Sequence, residues 1–311
     1  MSYLRRKLSM RSKYVLLVFL AAALFARVLC AAEETDSEEP AHFHHVRLNV
    51  TDPSETIDFY SKNLGAVRVQ YQGRAPALFT ERSFILLNEV DAAPPYLPHS
   101  AISHIGWGSV DGPSDFEWLK SRGVEFETPI GKLGNNYGMY FYGPDKELIE
   151  LWTGERNHRF NHVHLWATDV AATAEWYKQH LGVTARVLPK PQTRDYEDIR
   201  SIWMAFLQCD NVSFAVFGRP DFDSRWWPGG SYTKEDAPDE FETTRGRAID
   251  HLAFSYRRIE PVFERMKAAG VEIVEPIAER ELGHKSFFVM APDKVLIEIV
   301  EAKPLPEASW E

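Results

Sequence analysis

Two stretches of the chain repeat each other at a distance of 117 residues. HVRLNVTDPSETIDFYSKNLG, residues 45–65, lies over HVHLWATDVAATAEWYKQHLG, residues 162–182, with nine of 21 columns identical. A second repeat interleaves with the first. HIGWGSVDGPSDFEWLKSRGVEFETPI begins at His104 and HLAFSYRRIEPVFERMKAAGVEIVEPI begins at His251, a shift of 147, and PDKELIELW (144–152) matches PDKVLIEIV (292–300) one residue later in register. A chain that repeats itself at this length must fold as repeated supersecondary units. The order is A, B, A′, B′.

Each unit has the same local signals. A short strand opens at a histidine. A helix follows, as in PSETIDFYSKNLG, where Ile57, Tyr60 and Leu64 recur at helical spacing and Gly65 can cap the C-terminus. Apolar β-type runs come next: FILLN (84–88), YFY (140–142), LIELW (148–152), SFAVF (213–217) and SFFVM (286–290). The pattern is βαβββ, four times, an α+β fold. The repeat also sorts the histidine cluster at 42–45. His45 aligns with His162, whereas His44 aligns with Asn161 and His42 with Arg159, so only His45 recurs. Strand alternation puts Val46, Leu48 and Val50 on an apolar face and His45, Arg47 and Asn49 on a polar one.

The ends of the chain read differently. Basic residues Arg5, Arg6, Lys7, Arg11 and Lys13 precede the apolar run YVLLVFLAAALFA (14–26), and Cys30, Ala31 and Ala32 follow. That order is expected of a secretory signal peptide over residues 1–32, with an uncleaved anchor as the alternative. An acidic leader (33–41) and a tail (303–311) flank the repeats. Residues 1–32 carry six basic residues and no acidic one, so their removal takes the formal charge from −10 to about −16. Such an acidic body argues against nucleic acid and anionic membranes as partners, and against stable membrane insertion once the signal is gone. Only Cys209 would remain, which excludes an intramolecular disulfide. The chain is expected to be exported, and is compatible with a homodimer.

The four βαβββ modules, the H-V-x-L openings, the F-Y-x3-L-G helix end and the G-P-D-K-x-L-I-E-L close resemble the vicinal oxygen chelate superfamily, which includes glyoxalase I, extradiol dioxygenases and resistance proteins that sequester small molecules. The resemblance covers roughly residues 42–302. It implies modules paired into two glyoxalase-like cup-shaped sheets, each holding a divalent metal, with the first cup in 42–155 and the second in 158–302. Carried over column by column, it implies His45, His104 and Glu150 as ligands in the first cup, and His162, His251 and Glu298 in the second. Two imidazoles and a carboxylate suit Fe2+, Mn2+ or Zn2+ and leave positions open for a small oxygen-rich or aromatic substrate.

The family's fourth ligand has only Glu89 as a candidate, so a three-ligand, dioxygenase-like site is favoured over a glyoxalase-type lyase; sequestration without catalysis is the rival. Tyr140 occupies the place of that branch's tyrosine and faces Phe288 in the repeat. The branch's acid–base histidine is missing from GKLGNN (131–136); His284 is the nearest candidate, at a different spacing. Tyr140 and His284 are therefore the candidate catalytic residues. Arg47, Asn49, Trp152 and His164 are candidates for substrate contact, and Tyr140 with Trp152 points to the first cup as catalytic. Residues 218–246, with Trp226 and Trp227, read as a surface loop or a lid.

Overall fold

The computed structural model describes residues 39–94, 100–190, 202–218, 224–227, 230–232 and 240–303. The expected signal peptide, most of the acidic leader and all but the first residue of the tail lie outside them. Four βαβββ modules are present. A is β1 (His42–Val50), α1 (Pro53–Leu64), β2 (Val67–Tyr71), β3 (Ala75–Thr80) and β4 (Ser83–Glu89). B is β5 (Ile102–Ser109), α2 (Gly112–Ser121), β6 (Phe126–Leu133), β7 (Asn136–Tyr142) and β8 (Leu148–Thr153). A′ is β9 (Arg159–Ala167), α3 (Val170–Leu181), β10 (Thr184–Val187), β11 (Met204–Cys209) and β12 (Val212–Gly218). A ribbon of β13 (Ser224–Trp227) and β14 (Gly230–Tyr232) lies in the 218–246 segment. B′ is β15 (Ile249–Tyr256), α4 (Glu260–Ala268), β16 (Glu272–Glu279), β17 (Lys285–Met290) and β18 (Leu296–Glu301).

The helices begin and end where side chains satisfy their free backbone groups. Asp52 accepts from the amides of Ser54 and Glu55, Pro53 opens the first turn, and Gly65 closes α1 with φ +71°. Asp169 and Gly182 repeat this on α3. Ile57, Tyr60 and Leu64 form the buried face of α1, as the spacing predicts.

The sheets correct one expectation. Each has eight strands, but neither pairs A with B or A′ with B′. Their orders are β16-β17-β18-β15-β1-β4-β3-β2 and β10-β11-β12-β9-β5-β8-β7-β6. Module A therefore shares a sheet with B′, and B with A′; the first cup expected within 42–155 and the second within 158–302 do not form as such. The connections supply the physical reason. Only residues 154–158 join β8 to β9, a tether too short to leave the sheet. Residues 90–101 and 219–248 are long enough to cross from one sheet to the other. The repeated PDK turn ties the sheets together from below. Asp145 accepts from the Thr51 amide (3.1 Å) and hydroxyl (2.7 Å), and Asp293 accepts from those of Thr168 (3.2 and 2.7 Å).

The two sheets share a single apolar core. Phe43 of β1 stacks on Phe160 of β9 at 5.6 Å and meets the edges of Phe214 and Phe254 at 5.8 and 5.6 Å. Burial of each such ring contributes roughly 1.5–3 kcal/mol. The polar faces of the central strands are left to form the sites.

Candidate metal centres

The four strands that carry the candidate histidines share an irregularity. Between β1 and β15 the register passes from Phe43↔Phe254 to His45↔Ala253, and from Arg47↔His251 to Leu48↔Ile249, which leaves His44 and Asp250 without cross-strand mates. Between β5 and β9 it passes from Ile102↔Leu165 to His104↔His164, and from Gly106↔His162 to Trp107↔Phe160, which leaves Ser103 and Asn161 unmated. Each is a β-bulge, one residue before a candidate ligand. A bulge lets two successive side chains turn toward the same side.

The consequence is the same four times. The Nδ1 of each ring meets the side chain of the preceding residue: His45 meets His44 Nδ1 at 2.8 Å, His104 meets Ser103 Oγ at 3.0 Å, His162 meets Asn161 Oδ1 at 2.8 Å and His251 meets Asp250 Oδ1 at 2.6 Å. Asp250 can only accept, so Nδ1 of His251 carries the proton there. Asn161 presents its oxygen to His162 because its amide nitrogen donates to Glu155 at 3.1 Å. The Nε2 lone pair is thereby freed for a metal, with the ring fixed in orientation.

Two groups of ligand atoms result. His45, His251 and Glu298 converge in one sheet, and His104, Glu150 and His162 in the other, with ligand atoms within 4.8 Å of one another in each. All six residues that the resemblance implies take part; their grouping is what changes. His45 shares its centre with His251 and Glu298, and His104 and Glu150 share theirs with His162, because A pairs with B′ and B with A′. His42 faces Asp210 instead, at 3.0 Å.

Each carboxylate has one oxygen held and one directed inward. Glu298 Oε1 accepts from Ser286 Oγ at 2.5 Å and lies 2.9 Å from His284 Nε2; its Oε2 faces His45 and His251 at 3.2 and 3.3 Å. Glu150 Oε1 accepts from the Tyr140 hydroxyl at 2.8 Å, and its Oε2 faces His104 and His162 at 3.2 and 2.7 Å. Burial alone would raise both carboxyls, but the surrounding histidines hold them well below the usual carboxylate range. Burial drives His45 well below the ordinary imidazole value and lowers His104, so both are neutral. At His251 burial is outweighed by the Asp250 and Glu298 carboxylates, and its value is raised.

A divalent cation fits both groups. His45 Nε2 is buried and makes no well-aligned hydrogen bond to a described residue, with Glu298 Oε2 3.2 Å away as its nearest partner. An orphaned nitrogen costs about 1–3 kcal/mol, which a cation at the convergence point would offset. Two imidazoles with an ionised carboxylate form a donor set that suits Fe2+, Mn2+ or Zn2+.

The remaining candidates divide between the centres. Tyr140 and Trp152 belong to the Glu150 centre with His162, and not to the one that holds His45. His164 is buried there, its ring 4.6 Å from His104 and 4.1 Å from Phe217. His284, Arg47 and Asn49 belong to the Glu298 centre, where they line a cavity of about 440 Å3 together with Phe288 and Asp250. Tyr71 meets His284 Nδ1 at 3.1 Å. The Asn49 amide is spent on structure: it donates to the Arg247 carbonyl at 2.8 Å and to Asp250 at 3.1 Å. Glu89 is exposed at the end of β4 and lies outside both groups. The residues before the ligands were not singled out, nor was Ser286. A spacing signal marks the bulges. Buried apolar residues run 43, 46, 48, 50; 102, 105, 107; 160, 163, 165, 167; and 249, 252, 254, 256, a step of three before the steps of two.

The chain belongs to the Glyoxalase/Bleomycin resistance protein/Dioxygenase superfamily, whose family model matches residues 42–151 and 159–299. Among solved structures it is similar to glyoxalase I from Zea mays, at 17% identity and a TM-score of 0.62 over 84% of this chain and 92% of that one. A point mutant of the same maize enzyme gives 17% identity and a TM-score of 0.63, over 87% and 96% of the two chains. A candidate dioxygenase from Bacillus subtilis gives 12% identity and a TM-score of 0.55, over 84% and 85%. These likenesses establish the fold. No curated protein matches the chain.

Proposed function

We propose that the chain is a divalent-metal-dependent enzyme acting on a small, oxygen-rich molecule, with dioxygenase-like chemistry at the His45–His251–Glu298 centre. The observation that carries this reading is the convergence of Nε2 atoms and one carboxylate oxygen on a shared point, with the orphaned His45 nitrogen among them. A metal held there would supply Lewis acidity and orient substrate oxygens. The chain's own residues do the rest. Ser286 and His284 hold Glu298 Oε1, which leaves Oε2 directed at His45 and His251, where the three would hold the metal. His284 lines the cavity with its Nε2 on Glu298 Oε1 and its Nδ1 on the Tyr71 hydroxyl, so it positions the carboxylate and links it to Tyr71. The preference for this centre rests on its cavity, which Arg47, His284 and Glu298 line together; Tyr140, which pointed to the first cup, stands at the Glu150 centre.

Elemental analysis of the purified chain, before and after chelation, tests the reading. Near-stoichiometric metal with chelator-sensitive turnover of a small oxygenated substrate is expected. A metal-free chain that still binds small molecules would favour sequestration, and a metal-dependent isomerisation or lyase reaction without oxygen uptake would favour the glyoxalase-type chemistry.

Export is part of the same proposal. It rests on the basic-then-apolar order of residues 5–26. N-terminal sequencing of the mature protein tests it, with a new terminus near residue 33 expected. Among the described residues no helix is long and apolar enough to cross a membrane.

A further inference from the structure

The two centres have the same donor set but different walls, and the difference falls at matched positions. Two residues beyond the first ligand, β1 carries Arg47 where β9 carries His164. Four beyond, Asn49 stands where Trp166 does. On the neighbouring strands, Asn88 pairs with Asn49 and Phe217 pairs with Trp166. One wall is therefore Arg–Asn–Asn and the other His–Trp–Phe. In the second, His164 packs against Phe217 at 4.1 Å and Trp166 at 5.3 Å.

Arg47 is the distinctive member. It is half-buried in the cavity wall and is the cross-strand mate of the candidate ligand His251. The other two arginines of the cavity are neutralised: Arg245 and Arg280 both bind Glu275, at 2.5 and 2.8 Å. Arg280 is further fixed by Ser286 Oγ at 2.8 Å. Arg47 makes no hydrogen bond or ion pair to any described residue. The Glu298 and Asp250 carboxylates are near enough to favour its charge, but neither meets its donors; a guanidinium carries five donors in a planar fork and cannot lose its charge, so a half-buried one whose donors are unmet is costly unless something binds it. Its fork matches carboxylate and phosphate oxygens.

We infer that the Glu298 centre takes an oxyanionic ligand, a carboxylate or phosphoryl compound, with one end on the metal and the other on Arg47, and that the Glu150 centre does not. This assignment rests on the metal-dependent reading above and narrows it to an anionic substrate class. Asn49 and Asn88 contribute by bracing: Asn88 donates to Asn49 at 2.7 Å, and Asn49 to Asp250, which leaves Arg47 as the group in the wall free to receive the anion.

The test uses the full chain carrying Glu150→Ala, so that only the Glu298 centre reports. Manganese binding is measured first, and then oxalate binding by titration calorimetry, for Arg47 and for Arg47→Met. Oxalate is expected to bind the manganese-loaded chain, and Arg47→Met to weaken it about ten- to a hundred-fold with manganese affinity retained. Equal oxalate affinity in the two forms, or no oxalate binding in either, overturns the anion site. Absence of manganese binding overturns the metal reading instead. The anion site is then read with inorganic phosphate on the metal-free chain, where binding that depends on Arg47 supports it and binding that does not, or none, overturns it. If Arg47→Met does not fold, Arg47→Lys replaces it. Lysine keeps the charge and loses the fork, so an intermediate loss is expected, and unchanged affinity overturns the site.

Discussion

Glu147 is one of the least comfortable side chains in the molecule. It is almost fully buried between α1 and the turn before β8, takes a hydrogen bond from the Tyr60 hydroxyl at 2.8 Å, and is allowed in by Gly143, where a Cβ would fall 2.0 Å from Oε1. Burial pushes its carboxyl up to about 7. A folded-state value above the unfolded one means that the folded chain holds the extra proton between about pH 4.5 and 7. The stabilising contribution is complete below the unfolded value and is lost as pH rises through about 7, and its full size is on the order of 3 kcal/mol. Glu147→Gln should therefore match the parent at about pH 4 and exceed it by about 1–3 kcal/mol at about pH 8, read by urea unfolding at both. The repeat did the reverse experiment: Val295 stands in the same column of B′, and Tyr177, the counterpart of Tyr60, has a buried hydroxyl without a hydrogen-bond partner among the described residues. Asp250 belongs to this scale too. Asp250→Asn removes the charged acceptor behind His251, and metal affinity at the Glu298 centre should fall about ten- to a hundred-fold with the Glu150 centre unaffected, as isothermal titration would show.

At the scale of the strand, the bulges decide which way each histidine points, and glycine decides how closely a ring can lie on its neighbour. Gly106 is the cross-strand mate of His162, and a Cβ there would meet the His162 ring at 1.9–2.2 Å. Gly106→Ala should displace that ring, cost roughly 1–3 kcal/mol, and reduce bound metal from two ions per chain to one. Retention of two ions with unchanged affinities would show that the ring's position over Gly106 does not matter to binding. The matched position in the other sheet is Ala253, opposite His45, so the two centres already hold that ring differently.

At the scale of the molecule, each centre draws on both halves of the chain. His45 is coupled to Glu298 and indifferent to Glu150. Double-mutant cycles on metal binding make this measurable. His45→Ala with Glu298→Ala should be strongly non-additive, since either alone disables the same centre. His45→Ala with Glu150→Ala should add, since they disable different ones. The opposite pattern would restore the pairing of A with B. The shared aromatic core around Phe43 also predicts that the two sheets unfold together, in one transition by calorimetry and by tryptophan fluorescence.

The repeat determined the four βαβββ modules and the α-helix ends at Gly65 and Gly182, and it lined up the six positions that the family resemblance implies as ligands. Those depend on local spacing and capping, and on columns that coincide when the chain is laid over itself. The tertiary structure alone decided which A pairs with which B. Two copies of a module present almost the same edge, so local sequence cannot distinguish them; the short 154–158 tether and the longer crossings do. The same is true of the wall of each cavity. Arg47 could be placed on the polar face of β1 from alternation, but that it shares a cavity with Arg245 and Arg280, which both pair with Glu275, and makes no hydrogen bond to a described residue depends on residues nearly two hundred or more positions away. The bulges were legible in the step of three within each apolar series. What each one does, turning a neighbour's side chain onto the back of a histidine, became clear only once the strands were paired.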